Sequence, residues 1–154
     1  TSAENESSAI LFAEIQGKGY LLTGDAGVDS ISAAINFASQ ELLKNLSSCL
    51  KFVQIPHHGG RHNVTTEILD GLLGERVKNK PSSFDHFDRT ACVSASKDAK
   101  KHPKKCVTNA FIRRGFKVYA TKGKTIRHSQ NINIDRGWTK VDCMEFYDDE
   151  VESD

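Results

Sequence analysis

The 154-residue chain has no apolar run approaching the ~20 residues that cross a bilayer as a helix. A helical membrane span in this segment is excluded on that ground. No secretory signal is visible from Thr1 onward. The four cysteines, Cys49, Cys92, Cys106 and Cys143, are far apart and form no C-x-x-C pair, which argues against a zinc knuckle or a redox couple. Free thiols in a reducing compartment are the simplest account, so the expected location is cytoplasmic. Internal repeats and low-complexity tracts are absent. With 38% hydrophobic and 27% charged residues the composition is that of an ordinary globular domain, and long disorder is not indicated. At this length one domain with its own core is expected. Histidine is missing from the first third: the six are His57, His58, His62, His86, His102 and His128.

What is present is concentrated in Phe52 to Asn63, read as FVQIPHHGGRHN. Four residues of strand character run into Pro56, then two adjacent histidines, two glycines, Arg61 and His62. A strand ending in paired imidazoles and a glycine turn delivers side chains to the rim of a sheet. Glycine permits the sharp turn or a close backbone approach. Histidine is the commonest metal ligand and the usual proton carrier near neutral pH. The alternative is a surface loop that holds three histidines.

Tyr20 to Gly27, YLLTGDAG, is a second short strand that ends in a Gly-Asp turn. Asp25 lies thirty-two residues before His57. The residues between them read as one helix and one strand, a crossover that brings Asp25 and His57/His58 to one edge of a parallel sheet. A carboxylate and an imidazole there suit a hard or borderline divalent metal. A Gly-Asp pair alone is also ordinary turn chemistry.

Taken in order, Thr1 to Ser7 is polar and expected to fray. Ser8–Ile15 reads as a strand, Gln16–Gly19 as a hairpin turn and Tyr20–Thr23 as the returning strand. Asp29 or Ser30 caps a helix whose stripe is Ile31, Ala34, Ile35, Ala38, Leu42, Leu43 and Leu46, core by its spacing. Leu50–Ile55 is the buried strand before the histidines, and Thr65–Leu73 a short helix. Residues 74–89 read as an exposed connection, in which a lone His86 is a bystander. Thr90–Ser94 is a strand. Pro103 suits the first turn of a helix that runs to Arg114 and stops at Gly115. His102 would then neighbour its cap and either contact phosphate or only cap the helix. Phe116–Ala120 and Thr125–His128 read as strands, with a further edge hairpin from Asn131–Ile134 and Trp138–Phe146.

Net charge is +1 but unevenly spread. Eleven Lys or Arg and one acid, Asp98, fall between Lys97 and Arg127, and the last ten residues hold six acids. This segregation predicts a basic face and an acidic tail at 147–154. A basic face of this kind serves polyanions such as nucleic acid, or is simply solvated.

The order LLTGD, helix, FVQIPHHGG, strand with VSAS, KHP opening a helix, then FKVYATKGKTI resembles the C-terminal half of metallo-β-lactamase-fold hydrolases, over about residues 8 to 128. It is most similar in flavour to the hydrolase domain of ComEC-type competence proteins, which take up DNA, and to free-standing relatives of that domain. The resemblance implies an α/β fold, half of an αββα sandwich with a mixed sheet covered by helices, over residues 1–146. It implies a metal-dependent hydrolase of the phosphodiesterase or nuclease kind with two divalent ions, zinc or manganese, in the complete domain. Asp25 would be the bridging ligand and His58 or His57 the terminal one, the family pattern favouring His58. His57 would contact substrate, and His102 would match a His-Pro near the mouth of the site. The family's His-x-(His/Asp)-x-Asp-His cluster has no counterpart here. The expectation is therefore half a site, carrying one metal or none by itself. Its partner would be an N-terminal half or a second copy; the alternative is a degenerate, non-catalytic module that binds nucleic acid or a partner chain.

Overall fold

The computed structural model describes residues 2–130, 132 and 134–150. Five strands form one sheet in the order β1-β2-β3-β4-β5: Leu11–Ile15, Lys18–Leu22, Leu50–Gln54, Arg89–Val93 and Phe116–Ala120. β1 and β2 are an antiparallel hairpin, and β2 to β5 run parallel, so the sheet is mixed. Gln16 and Gly17, both at positive φ (53° and 74°), make the tight turn whose twist suits a hairpin. The helices are α1 (Ala3–Glu6), α2 (Val28–Gln40), α3 (Leu46–Cys49), α4 (Thr66–Leu73) and α5 (Lys105–Ile112). Sequential neighbouring parallel strands joined by right-handed crossovers put their helices on the same face.

The core lies between that face and the helices. One register row, Leu21–Val53–Ala91–Val118, is fully buried. Ile31 and Ala38 of α2, Leu69, Leu72 and Leu73 of α4, and Val107, Ala110, Phe111 and Ile112 of α5 pack on it. Gly19 leaves room for α3: a Cβ there would stand 3.1 Å from Cys49 Sγ and 3.0 Å from the Phe12 ring.

At the end of the sheet away from the strand C-termini, Arg89 ties the elements together. Its guanidinium donates to the carbonyls of Ser47, Leu50, Leu73 and Arg114 at 3.1–3.2 Å and stacks 4.0 Å from the Phe116 ring centroid. Arg114, fully buried, pairs with Asp70 at 2.5 Å.

The opposite face of the sheet carries Leu11, Ala13 and Ile15 of β1, the paired Tyr20 and Leu22 of β2, and across them Phe52, Thr90 and Lys117. Among the described residues, each helix packs on another helix. Leu11, Ile15 and Leu22 are 60%, 58% and 43% exposed. His128 and Gln130 cover part of the face: His128 lies 4.9 Å from the Phe52 ring, and Tyr20 donates its hydroxyl proton to Gln130 at 2.9 Å.

Several expectations are corrected. The predicted helix through Leu46 is two helices. α2 ends at Gln40, Leu43 turns at φ 52° and is 85% exposed, and Asn45 caps α3 through Ser47 N–H at 3.0 Å. Leu46 is buried as expected, but from the second helix. Residues 3–6 are not frayed: they form α1, where Glu6 accepts from Ser30 N–H at 2.9 Å and caps α2. The connection 74–89 is partly anchored, with Phe84 and Phe87 packed on the core. Thr125–His128 is no strand; the chain folds over Phe52 and Tyr20 instead. Trp138–Phe146 forms no strand, and Met144 N–H only bridges to Val118 O at 2.7 Å along the β5 edge. Asn131 and Asn133 of the expected hairpin, and 151–154 of the acidic tail, lie outside the described residues. No helix among the described residues is long and apolar enough to cross a membrane.

Candidate functional site

Three strand ends build the candidate site. After β2, Thr23 is fully buried and donates its hydroxyl proton to Gln54 O at 2.9 Å. The Gln54 side-chain carbonyl accepts from both Thr23 N–H and Gly24 N–H at 3.2 Å. Asn63, 2% exposed, donates its amide to the carbonyls of Asp25 and Ala26 at 3.3 and 3.2 Å. The Gly24–Asp25 turn is thus held from β3 and from beyond the histidines. His57 N–H in turn donates to Gly24 O at 3.1 Å.

The segment after β3 reverses on a left-handed turn. His57, His58 and Gly59 take φ of 45°, 56° and 77° in succession, closed by Gly59 N–H to Pro56 O and Gly60 N–H to His57 O. Left-handed backbone is costly for a residue with a Cβ. Two consecutive histidines held there are a strained arrangement of the kind that collects at functional sites. The turn brings His57 Nδ1 to 3.7 Å from Asp25 Oδ2, and the two imidazole centroids lie 5.8 Å apart. Asp25 and His57 keep 49% and 37% of their side-chain surface exposed, so the site is open.

Each histidine has a distinct partner. His58 Nδ1 lies 2.9 Å from the carbonyl of Ser94, just past β4. A carbonyl only accepts, so Nδ1 carries a proton, and in the neutral ring Nε2 keeps its lone pair. This is the arrangement that orients a metal-binding or basic imidazole. His57 Nδ1 lies 3.2 Å from the Asn5 side-chain amide. His102 completes the group. Its Nδ1 is buried without a partner, and burial first, then the charge of Lys104 and the two neighbouring histidines, lowers its pKa; a hydrogen bond with the Gly59 backbone opposes the shift.

His102 does not reach this place by capping a helix. α5 begins at Lys105, and Pro103 precedes it, joined to His102 by a cis peptide. Lys104 N–H is committed to Gly59 O at 3.1 Å, which docks the 102–104 segment on the histidine turn and delays the helix. Gly59 is required for that docking, because a Cβ on it would stand 2.6 Å from Pro103 Cβ.

The basic segment is more structural than its composition implies. Arg114 is buried, and Arg113 donates to Val77 O and Lys78 O. Lys122 donates to Ala99 O and His102 O, Lys117 to Asp85 O, and Lys105 lies over the Tyr147 ring. Lys97, Lys100 and Lys101 remain exposed on the approach to His102. The acidic tail starts docked rather than free: Asn109 donates to the carbonyls of Tyr147 and Glu150. His62 and His86 are exposed and outside the cluster. The four cysteines are free and half-buried, and burial pushes the Cys92 thiol up to about 11.

Asp25, His57, His58 and His102, identified from sequence, are therefore brought to one edge of the sheet. Asn5, Gln54, Asn63 and the Ser94 carbonyl were not legible as site residues. Gln54 and Asn63 stood in the histidine stretch and Ser94 in the VSAS strand, but none of them, nor Asn5, carried a signal of its own. As a metal site the set is incomplete: among the described residues no group of three or more His, Cys, Asp or Glu could hold an ion. A dinuclear centre would need ligands from beyond these residues. No family model, no curated protein and no solved structure matches the chain.

Proposed function

We propose that the chain is the C-terminal half of a metal-dependent hydrolase of phosphodiester or other phosphate-bearing substrates. An N-terminal half of the same fold, or a second copy, would complete it as an αββα sandwich. The observation that carries this reading is the approach of Asp25 to His57 beside a His58 whose Nδ1 is tied to a carbonyl, leaving Nε2 as a Lewis base. In the complete domain Asp25 and His58 would hold two divalent ions, zinc or manganese, with ligands from the other half. Bound there, the ions would supply Lewis acidity and a nucleophile at neutral pH. This chain's own part is to present Asp25 and His58 on braced turns and to set His57 where it can bond a substrate or leaving-group oxygen. His102, with Lys97, Lys100 and Lys101, would draw in the phosphate. The uncovered apolar face around Leu11, Ile15 and Leu22 supports a second layer, since such faces are normally covered.

The second reading is a non-catalytic module that binds nucleic acid or a partner chain. It is favoured by the lack of a three-ligand group among the described residues. Elemental analysis and nitrophenyl phosphodiester hydrolysis by the protein joined to its partner half separate the two. About two ions per complete site, lost in Asp25→Asn and His58→Gln, support the hydrolase. A complete complex with neither metal nor turnover leaves the binding module.

A further inference from the structure

The two adjacent histidines are wired oppositely. His58 Nδ1 faces a carbonyl at 2.9 Å and must donate to it. His57 Nδ1 faces the Asn5 amide nitrogen at 3.2 Å, which is itself a donor, so with the amide in this orientation Nδ1 of the neutral ring accepts and the ring proton resides on Nε2. The Asp25 carboxylate would draw the proton to Nδ1 if it were bonded, but at 3.7 Å it is beyond hydrogen-bond range. Asn5 is not a wandering terminal residue. It sits in α1, whose next residue, Glu6, accepts from Ser30 N–H at 2.9 Å and from the Ser30 hydroxyl at 2.8 Å, fixing the turn to the start of α2.

We propose that Asn5 is a positioning residue that holds His57 as the Nε2–H tautomer, making His57 a hydrogen-bond donor to an oxyanion while His58 presents a lone pair. One turn would then offer an anion donor and a Lewis base side by side, from two residues of the same type. The substrate role rests on the hydrolase reading given above; the tautomer assignment does not.

Long-range nitrogen–proton correlation spectra of the protein labelled with 15N-histidine test it, recorded near pH 8.5, roughly two units above the ordinary imidazole pKa. His57→Gln and His58→Gln assign the signals. The expected result is an unprotonated Nδ1 and protonated Nε2 on His57, and the reverse on His58. Asn5→Asp replaces the donor with an acceptor of the same shape and should move the His57 proton to Nδ1, leaving His58 unchanged. Asn5→Ser, which removes the amide and serves alone where the aspartate perturbs folding, should give His57 a mixture of tautomers. A wild-type His57 protonated at Nδ1, or a His57 tautomer indifferent to both substitutions, overturns the assignment. The readout needs neither metal nor turnover, so its failure is distinct from failure to find a hydrolase.

Discussion

Replacing Arg89 tests how the end of the fold opposite the site is held. Arg89→Met keeps the length and apolar stem but removes the fork that donates to Ser47, Leu50, Leu73 and Arg114 carbonyls. Leu73 ends α4 and Arg114 follows α5, so these include helix C-terminal carbonyls without an intrahelical partner. A buried acceptor left unpaired costs about 1–3 kcal/mol, and the half-buried setting of Arg89 admits some water, so the low end applies. Four carbonyls then give about 4 kcal/mol. The stacking on Phe116 adds less than 1 kcal/mol at a partly exposed site. With a urea dependence of about 2 kcal/mol per molar, the midpoint should fall by about 2 M. Arg89→Lys should recover little, because an ammonium is a point charge and cannot span four acceptors in different directions. Equilibrium urea unfolding by circular dichroism measures both variants. A midpoint within about 0.5 M of the parent for Arg89→Met would show that these bonds are exchanged for water at no cost, and the argument would be wrong.

Asp70→Asn leaves the buried Arg114 guanidinium without its counter-charge and should cost about 3–5 kcal/mol in the same unfolding assay. Gly59→Ala, at φ 77° and against Pro103, should lose about 1–3 kcal/mol and detach the 102–104 segment, visible as faster amide exchange at Lys104. His128→Phe should stabilise by about 1 kcal/mol, because the ring sits on Phe52 with its Nε2 buried and unpartnered. Burial lowers the His128 pKa, so the unfolded chain binds the proton more readily and stability falls as pH drops below the ordinary imidazole value. Urea midpoints between pH 7.5 and 5 should therefore decline less in His128→Phe than in the parent. Weak, sequence-independent nucleic-acid binding should fade toward physiological salt with a log slope of about 0.7–0.9 per phosphate neutralised. Replacing Lys100, Lys101, Lys104 and Lys105 with glutamine should flatten that slope in fluorescence anisotropy; an unchanged slope would leave these lysines as solvated surface.

The sequence by itself indicated the five strands of the sheet and which of their ends carry chemistry, but it also suggested strands at 125–128 and 138–146 that do not form. Short runs of strand character that stop at Gly24-Asp25 and at Pro56-His57 are local signals, and the single crossover between them has only one favourable way to bring both ends to one edge. A hairpin turn within 16–19, though the returning strand begins at Lys18, a helix ending ahead of Gly115, though at Ile112, and the buried strand from Leu50 were legible for the same reason. The tertiary structure decided everything that depends on a distant partner. Leu43 looked like core because its spacing is helical, yet the chain turns left there and Asn45 starts a new helix. Arg114 looked like part of a basic face until Asp70, forty-four residues away, was found beside it. Which histidine donates and which accepts is set by Asn5 and by the Ser94 carbonyl, fifty-two and thirty-six residues distant. Spacing reports which face of an element is apolar; it carries no information about which polar atom, brought in from another strand end, completes a hydrogen bond. That pairing exists only once the sheet has assembled.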